Sequence, residues 1–314
     1  MVNASIQTSG PDLQALHAIA RLRFAQDPSK CYQRHIREVH SEIEGREQLP
    51  SLSGAVVERI SREDAELIIL KYEWLAADPR KKCPMGAGVQ ACYGLKLNGE
   101  LLGAVIFGTM GGNIRLICGE EYAGRTVCLM RGACVPHAPK NAASFLIRHA
   151  CRLAFEDFGW CIFFAYSDPD AGEIGTVYQA SNWFYIGEGC GRPCGSYHAD
   201  YESPDKETIV SSYKLNHDKE RKFMRSLGWS KEKGPMRPYL ESLGWRPIKS
   251  LGKKKWVWFE GDRKGTRELK QRCRYPFLPY PKRVCGGSDQ GEHPETIGKG
   301  VVRIHTTAPI SRGT

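Results

Sequence analysis

The sequence lacks any apolar run long enough to cross a membrane. Its first ten residues, M-V-N-A-S-I-Q-T-S-G, also lack the basic start and following apolar stretch that are typical of a secretory signal. No run approaches the ~18 apolar residues that a membrane-spanning helix requires. We therefore expect no membrane partner and a soluble protein of the cytoplasm.

Paired C-x-x-C motifs are also absent, although the chain has 12 cysteines. The cysteines are scattered through apolar runs such as Val127–Val135, a distribution typical of reduced, buried thiols. Two looser sets of cysteine and histidine occur: Cys190, Cys194 and His198, and Cys31, His35 and His40. Neither set has the paired arrangement that defines a structural zinc site. We therefore predict no metal ligands, and the sequence leaves a metal requirement open.

The net charge of +10 is unevenly distributed along the chain. Between Ser211 and Arg283 there are 21 Lys+Arg and 7 Asp+Glu, whereas the rest of the chain has 24 Lys+Arg and 28 Asp+Glu. A mildly acidic chain with one strongly cationic segment is typical of a protein that binds a polyanion.

The length of 314 residues suggests one large domain with an appendage. We predict an N-terminal extension (1–54), which includes a helix over Gly10–Gln26, and a catalytic α/β domain (55–210). A basic nucleic-acid-binding region (211–283) and a disordered tail (284–314) follow. Within the basic region, S-L-G-W occurs at Ser226–Trp229 and at Ser242–Trp245, and predicts two short helices that each end in a glycine cap.

Local signals define the first elements of the α/β domain. Val56–Ile60 predicts a strand, and Ser61 with Asp64 three residues later predicts the start of a helix. Asn98-Gly99 lies between two apolar runs and predicts a tight hairpin turn.

The following elements alternate between strands and helices, and their order implies a mixed α/β sheet with helices on both faces. We predict strands at Thr126–Val135, Cys161–Tyr166 and Trp183–Gly187, and helices at Asn141–Asp157 and Glu173–Ala180.

In a sheet of this kind, ligands bind beyond the carboxyl ends of parallel strands. The helix that begins near Asn141 presents free backbone amides that suit a pyrophosphate, and Lys140 and Ser144 could add direct contacts. The next strand ends in Ser167-Asp168, where catalytic groups are common. A strand that simply ends in a proline turn is the equal alternative for Asp168.

The residues from Ser167 to Gly187, S-D-P-D-A-G-E-I-G-T-V-Y-Q-A-S-N-W-F-Y-I-G, resemble the phage Mom family, which belongs to the GNAT acetyltransferase superfamily. R-G-A-C-V and A-P-K-N-A-A-S-F before this stretch support the resemblance, which covers roughly Val56–Gly187. It continues through the basic segment to Y-P-F-L-P-Y-P-K-R. The usual GNAT phosphate loop, Gln/Arg-x-x-Gly-x-Gly/Ala, is absent, and A-P-K-N-A-A-S-F stands in its place.

The resemblance implies a GNAT-like mixed sheet with a basic C-terminal extension, acetyl-CoA as cofactor and double-stranded DNA as partner. Mom proteins convert adenine in DNA to an N6-carbamoylmethyl derivative, which protects phage DNA from restriction. Tyr178 would protonate the departing CoA thiolate, and Asp168 would act as base toward the exocyclic amine or orient it. Arg131 would meet either a carboxylate, with Asp168 as the candidate, or a phosphate. Cofactor contacts are expected at Val135, Lys140, Asn141 and Ser144.

Basic and aromatic residues alternate in Lys253–Phe259 and Arg267–Tyr275, a pattern that suits phosphate contacts with base or sugar packing. A solvated surface with two core tryptophans is the alternative. Trp183 and Tyr185 are candidates to stack on a flipped adenine, unless they are core residues. The predicted DNA contacts are Lys253, Lys254, Lys255, Arg272 and Arg274.

Two other functions remain open at this point. One is acyl-CoA-dependent N-acetylation of a protein, a tRNA or a hypermodified pyrimidine in DNA. The other is a DNA-binding module that keeps only the fold. Acetyl transfer alone gives an N-acetyl product, so carbamoylmethylation requires a further step.

Overall fold

The structure, a computed structural model, describes residues 13–74, 88–109, 113–188, 200–210, 215, 221–248 and 252–282. The strands are β1 Val56–Arg59, β2 Val89–Leu97, β3 Glu100–Gly108, β4 Thr126–Cys134, β5 Ile162–Ser167, β6 Phe184–Glu188, β7 Asp200–Glu202, β8 Ile209–Val210, β9 Arg246–Ile248 and β10 Lys254–Phe259. The α-helices are α1 Leu13–Gln26, α2 Tyr32–Glu44, α3 Arg62–Tyr72, α4 Ala142–Phe158, α5 Thr176–Ala180, α6 Lys222–Ser226, α7 Met236–Ser242 and α8 Arg263–Arg272.

A seven-stranded sheet with the order β1-β2-β3-β4-β5-β10-β6 forms the centre of the protein. The β4–β5 pair is parallel, and the other neighbouring strands are antiparallel. Helices α3 and α4 pack against this sheet through apolar side chains. The mixed α/β sheet flanked by helices that the sequence predicts is therefore confirmed.

The predicted local signals in the first half of the domain are confirmed. The Ser61 hydroxyl accepts a hydrogen bond from the Asp64 backbone N–H at 3.0 Å and caps α3. Asn98 and Gly99 both have positive φ, 51° and 82°, as the twist of a two-residue hairpin requires, and they join β2 to β3.

Strand β10 was not expected in this sheet. It lies between β5 and β6, and Trp256 is fully buried between them, with 0% of its surface exposed. The Lys253–Phe259 segment is therefore mostly an internal strand, and the core alternative is correct for Trp256. The predicted region 211–283 thus supplies part of the central sheet.

The N-terminal extension contains a second helix, α2, that the sequence analysis missed. Helices α1 and α2 pack around an apolar cluster that includes Ile36 and Val39, and Trp74 and Ala171 of the following domain complete it.

Residues 200–248 contain a second sheet with the order β8-β7-β9, together with α6 and α7. The two S-L-G-W segments end these helices in the same way, with Gly228 and Gly244 at φ of 79° and 81°. The N–H of Trp229 donates to the carbonyl of Met224 at 3.0 Å, and the N–H of Trp245 donates to the carbonyl of Leu240 at 3.1 Å. The predicted glycine caps are confirmed.

The predicted disordered tail, residues 284–314, lies outside the described residues. Within the described residues, no helix combines the length and the apolar character needed to cross a membrane. The cysteines of the described part are free, and most of them are buried.

We predict that Gly175→Ala destabilises the protein strongly. Gly175 has a φ of +77°, and an added Cβ would overlap the Trp256 ring. The left-handed backbone costs about 1–2 kcal/mol for an L-residue and the overlap about 1–3 kcal/mol more, measured as the free energy of unfolding in denaturant. Gly45→Ala is the matched control, since Gly45 has a φ of +59° but no atom within 4 Å of the added Cβ. Equal losses in the two variants would contradict the packing argument.

Candidate active site

The two parallel strands of the central sheet separate after four residues. Strand β4 pairs with β5 only from Thr126 to Leu129. At that point the register with β3 shifts: Leu129 lies opposite Phe107 and Arg131 opposite Ile106, which leaves Met130 as an extra residue. A bulge of this kind bends its strand. The result is an open wedge between the second half of β4 and the end of β5, where ligands of such sheets bind.

The amino end of α4 lies after β4 and carries three of the predicted cofactor residues. Asn141 occupies the N-cap position with a φ of 67°, and its side chain makes no capping hydrogen bond. The Ser144 hydroxyl donates to the Asn141 carbonyl at 3.0 Å, and Lys140 is exposed. The first-turn amides of α4 are therefore not capped by the Asn141 side chain, as a phosphate site requires.

Val135, the fourth predicted cofactor residue, is buried and its backbone is engaged. Its N–H donates to the Leu102 carbonyl at 2.9 Å, and its carbonyl accepts from the Ala138 N–H at 3.1 Å. The Val135 N–H is therefore already used within the protein.

Arg131 forms a buried ion pair with Glu73, not with Asp168. The Arg131 Nη1 atom lies 2.7 Å from Glu73 Oε2, and the two side chains are only 6% and 8% exposed. The suggestion that Arg131 meets Asp168 is therefore wrong. The expectation of a carboxylate partner holds, because a buried guanidinium needs a compensating charge.

Gln33 of α2 fixes the backbone on both sides of Glu73. Its Nε2 donates to the Tyr72 carbonyl, and its Oε1 accepts from the Trp74 N–H at 2.9 Å. The N-terminal extension thereby positions the carboxylate that pairs with Arg131, which is a role that sequence reasoning missed.

Glu173 is a site residue that the sequence analysis did not single out. It lies in the loop between β5 and α5 and is half-buried. Burial, and to a lesser extent the negative charges of Glu73 and Asp168, together raise the pKa of its carboxyl to about 8. In sequence, an acidic residue at the start of a predicted helix is ordinary, so no local signal marked it.

Tyr178 lies on α5, with its ring against two tryptophans. The ring centroids are 5.2 Å from Trp183 and 5.6 Å from Trp256. Burial raises the pKa of the Tyr178 phenol well above its usual value, and the nearby charge of Glu173 adds to this shift. The phenol therefore remains protonated and able to donate a proton.

Asp168 organises the turn that carries Glu173. One carboxylate oxygen accepts from the Asp170 N–H at 3.1 Å, and the backbone carbonyl accepts from the Glu173 N–H at 3.0 Å. The other carboxylate oxygen lies 3.9 Å from Lys253 Nζ. Asp168 and Glu73 both act on the Glu173 carboxyl, and Glu173 acts on the Tyr178 phenol. The four groups therefore form one electrostatic cluster.

The predicted DNA contacts are spread over the surface and the core. Lys255 is only 4% exposed, with its Nζ 4.4 Å from the Tyr275 ring centroid, so a phosphate contact there is wrong. A residue of an internal strand with its side chain toward the protein cannot reach a duplex. Lys254 pairs with Glu188, and Arg272 pairs with Glu121 and Glu268. Lys253 and Arg274 are exposed.

The proposed stacking residues Trp183 and Tyr185 are both buried, and so belong to the core. Cys190, Cys194 and His198 lie outside the described residues. In the second cysteine–histidine set, the His35 Nε2 atom lies 2.9 Å from the Asp27 carbonyl. No cluster of three His, Cys, Asp or Glu side chains suited to a metal ion occurs in the described part of the chain.

We predict that Arg131→Met destabilises the protein by about 3–5 kcal/mol, because it leaves the Glu73 carboxylate buried without its cation. The double variant Arg131→Met/Glu73→Gln should recover most of that loss, and a thermodynamic cycle of unfolding free energies measures the coupling. Arg152→Met with Glu156→Gln, an exposed pair on α4 at 3.0 Å, is the control cycle and should show little coupling. Equal coupling in the two cycles would contradict a structural role for the buried pair.

The profile of the Mom protein family matches residues 55–282. No curated protein matches the chain. Similar solved structures include the IAA acetyltransferase from Bacillus cereus ATCC 14579, with 18% identity, a TM-score of 0.29, and coverage of 43% of this chain and 80% of that one. Spermidine N-acetyltransferase from Vibrio cholerae, solved with CoA and spermine, has 13% identity, a TM-score of 0.29, and coverage of 44% and 85%. A GNAT family acetyltransferase from Elizabethkingia anophelis, solved with acetyl-CoA, has 9% identity, a TM-score of 0.32, and coverage of 66% and 99%. Because the family profile spans well over half of its 314 residues, this chain belongs to the Mom protein family.

Proposed function

We propose that this protein is a transferase that uses an acyl-CoA cofactor to convert adenine in double-stranded DNA to N6-carbamoylmethyladenine, and that it protects phage DNA from restriction. The main support is the electrostatic cluster of Asp168, Glu173, Tyr178 and Glu73. It contains a carboxyl with a pKa of about 8 and a phenol that stays protonated, which together suit the activation of an amine and the release of a thiol.

The chain offers a coherent place for an acyl-CoA. Lys140, Asn141 and Ser144, at the amino end of α4, where the Asn141 side chain makes no capping hydrogen bond, would hold its phosphates, and its acyl end would enter the wedge between β4 and β5. When bound, the cofactor supplies an acyl group as a thioester.

Glu173 and Tyr178 would divide the proton transfers. The Glu173 carboxylate would take a proton from the exocyclic amine as the amine nitrogen bonds to carbon. The Tyr178 phenol would give a proton to the thiolate sulfur as the carbon–sulfur bond breaks. Asp168, held by the Asp170 N–H, would orient the amine. The target base has to leave the stack before these groups can reach it.

The identity of the product separates carbamoylmethylation from simple acetylation. In acetyl transfer the nitrogen bonds to the carbonyl carbon, whereas in the carbamoylmethyl product it bonds to the methylene carbon next to an amide. The proton transfers assigned to Glu173 and Tyr178 complete an acetyl transfer by themselves, whereas the carbamoylmethyl product also requires a nitrogen-containing co-substrate that supplies the amide nitrogen and a step that joins the adenine nitrogen to the methylene carbon. N-acetylation of another amine is therefore the second candidate function.

We predict a modified adenine with the mass of the carbamoylmethyl derivative in DNA from cells that express the protein, measured by mass spectrometry of nucleosides. Tyr178→Phe should abolish most of it, because the proton donor is lost. Tyr122→Phe is the matched control, since Tyr122 is remote from the cluster and contacts Glu268. If the wild-type sample contained no modified adenine, adenine in DNA would be ruled out as the substrate. An acetylated product would favour the second candidate.

We predict that kcat/KM rises about tenfold per pH unit below a pKa of about 8 and levels off above it, since only the ionised Glu173 accepts a proton. Glu173→Gln should lower kcat/KM about 100-fold or more and should abolish this rise of kcat/KM with pH. Glu156→Gln, an exposed residue of α4, should keep both. A profile that is unchanged in Glu173→Gln would assign the ionisation to another group.

A further inference from the structure

A cleft with a volume of about 1340 Å³ lies in the segment that joins β6 to β10. Strand β7, helices α6 and α7, and the 3-10 turn Lys231–Lys233 contribute its walls. None of its lining residues comes from β4, β5 or α4, so the cleft is separate from the wedge described above. The side chains most relevant to binding are Tyr201, Arg221, Arg225, Trp229, Lys231 and Arg237.

The charge of this cleft is positive. Its lining includes four basic side chains, Arg221, Arg225, Lys231 and Arg237, and two acidic ones, Glu232 and Glu241. Glu241 already accepts a hydrogen bond from the Tyr201 hydroxyl at 2.8 Å. A concentration of one charge in a concave surface raises the local concentration of the opposite charge, and so indicates a polyanionic ligand.

Two cations of the cleft lack the ion pairs that neutralise other basic residues of the segment. Arg225 and Lys231 are exposed, and neither pairs with an acidic side chain of the described residues. By contrast, Arg272 pairs with two glutamates and Lys254 with one. Arg225 and Lys231 are thus available to a phosphate.

An aromatic residue with a fixed orientation accompanies these cations. Trp229 is half-buried in the wall of the cleft, and its indole N–H donates to the Gly234 carbonyl at 3.0 Å. The S-L-G-W cap of α6 also holds its backbone through the carbonyl of Met224. A fixed aromatic ring beside cations is typical of nucleic-acid-binding surfaces.

The topology places this segment beside the active-site edge of the sheet. Lys254, the first residue of β10, lies opposite Ser167 at the end of β5 and opposite Glu188 at the end of β6. Both connections to the segment therefore leave the sheet at the edge that carries Asp168. Five residues separate Ile248 from Lys254, so the two ends of this link lie at most about 22 Å apart.

We propose that this cleft binds the sugar–phosphate backbone of duplex DNA and thereby presents a target base to the Asp168 edge of the sheet. The inference rests on the proposed function, because it specifies where that function's DNA substrate binds. The cleft takes the place of Lys255 as a predicted DNA contact, because Arg225 and Lys231 are exposed whereas Lys255 of β10 is buried.

The test compares two double variants of the full chain for binding to a labelled duplex by fluorescence anisotropy over a series of salt concentrations. Arg225→Ala/Lys231→Ala should raise the Kd about tenfold or more and reduce the slope of log K against log salt by about 2, since each lost phosphate contact removes about 0.9. Lys264→Ala/Arg267→Ala, which removes the same charge from the exposed face of α8, should reduce the slope by far less. Thermal unfolding checks that both variants remain folded.

The possible outcomes separate this inference from the proposed function. If the wild-type protein does not bind the duplex, the DNA substrate fails and the inference fails with it. If the wild type binds but the cleft variant matches it, or if both variants lose affinity equally, only the assignment to the cleft is overturned. Displacement of the duplex by polyglutamate at equal charge would also overturn it, in favour of an acidic protein partner.

Discussion

The buried pairing of Arg131 with Glu73 determines the electrostatics of the site. Arg131 is committed to Glu73 at 2.7 Å, so its charge is balanced locally. Glu173 and Asp168 are then further carboxyl groups in the same partly buried region. Like charges in a low-dielectric environment cannot all ionise easily, and Glu173 is the group that retains its proton to a pKa of about 8. A proton acceptor suited to near-neutral pH thus arises first from the burial of the Glu173 carboxyl, and the neighbouring carboxylates of Glu73 and Asp168 add to the shift.

This arrangement depends on parts of the chain that are far apart in sequence. Gln33 of α2 holds the backbone around Glu73, and it lies before residue 55, where the match to the Mom family begins. Trp256 of β10 lies against Tyr178, and its indole N–H donates to the Ser167 hydroxyl at 3.0 Å. The close approach of Gly175 to the same ring fixes the start of α5. The residues of the middle segment to which we assign proton transfers are therefore positioned from both sides.

The sequence predicted the features that depend on neighbouring residues. The Asn98-Gly99 hairpin, the Ser61 cap and the two S-L-G-W helix ends all follow from local backbone chemistry, and all are confirmed. The insertion of β10 between β5 and β6 was not predictable in this way, because strand order is decided by packing between distant segments. Glu173 escaped notice for the same reason, since its raised pKa comes from burial by the folded chain and from the charge of Glu73, about a hundred residues away in the chain.

The basic segment has two separate roles, which explains why its charge alone was misleading. In β10, lysines lie next to aromatic residues in the sequence. Successive side chains of an internal strand point to opposite faces of the sheet, where they pack against other parts of the protein, and Lys255 is buried as a result. In residues 221–248, four basic side chains line a cleft, and two of them, Arg225 and Lys231, form no ion pair with an acidic side chain of the described residues. The charge of a segment indicates that a polyanion binds, but ion pairing and burial decide which residues can meet it. By that criterion the surface that we propose for DNA binding lies before β10, and β10 itself contacts Tyr178 through Trp256.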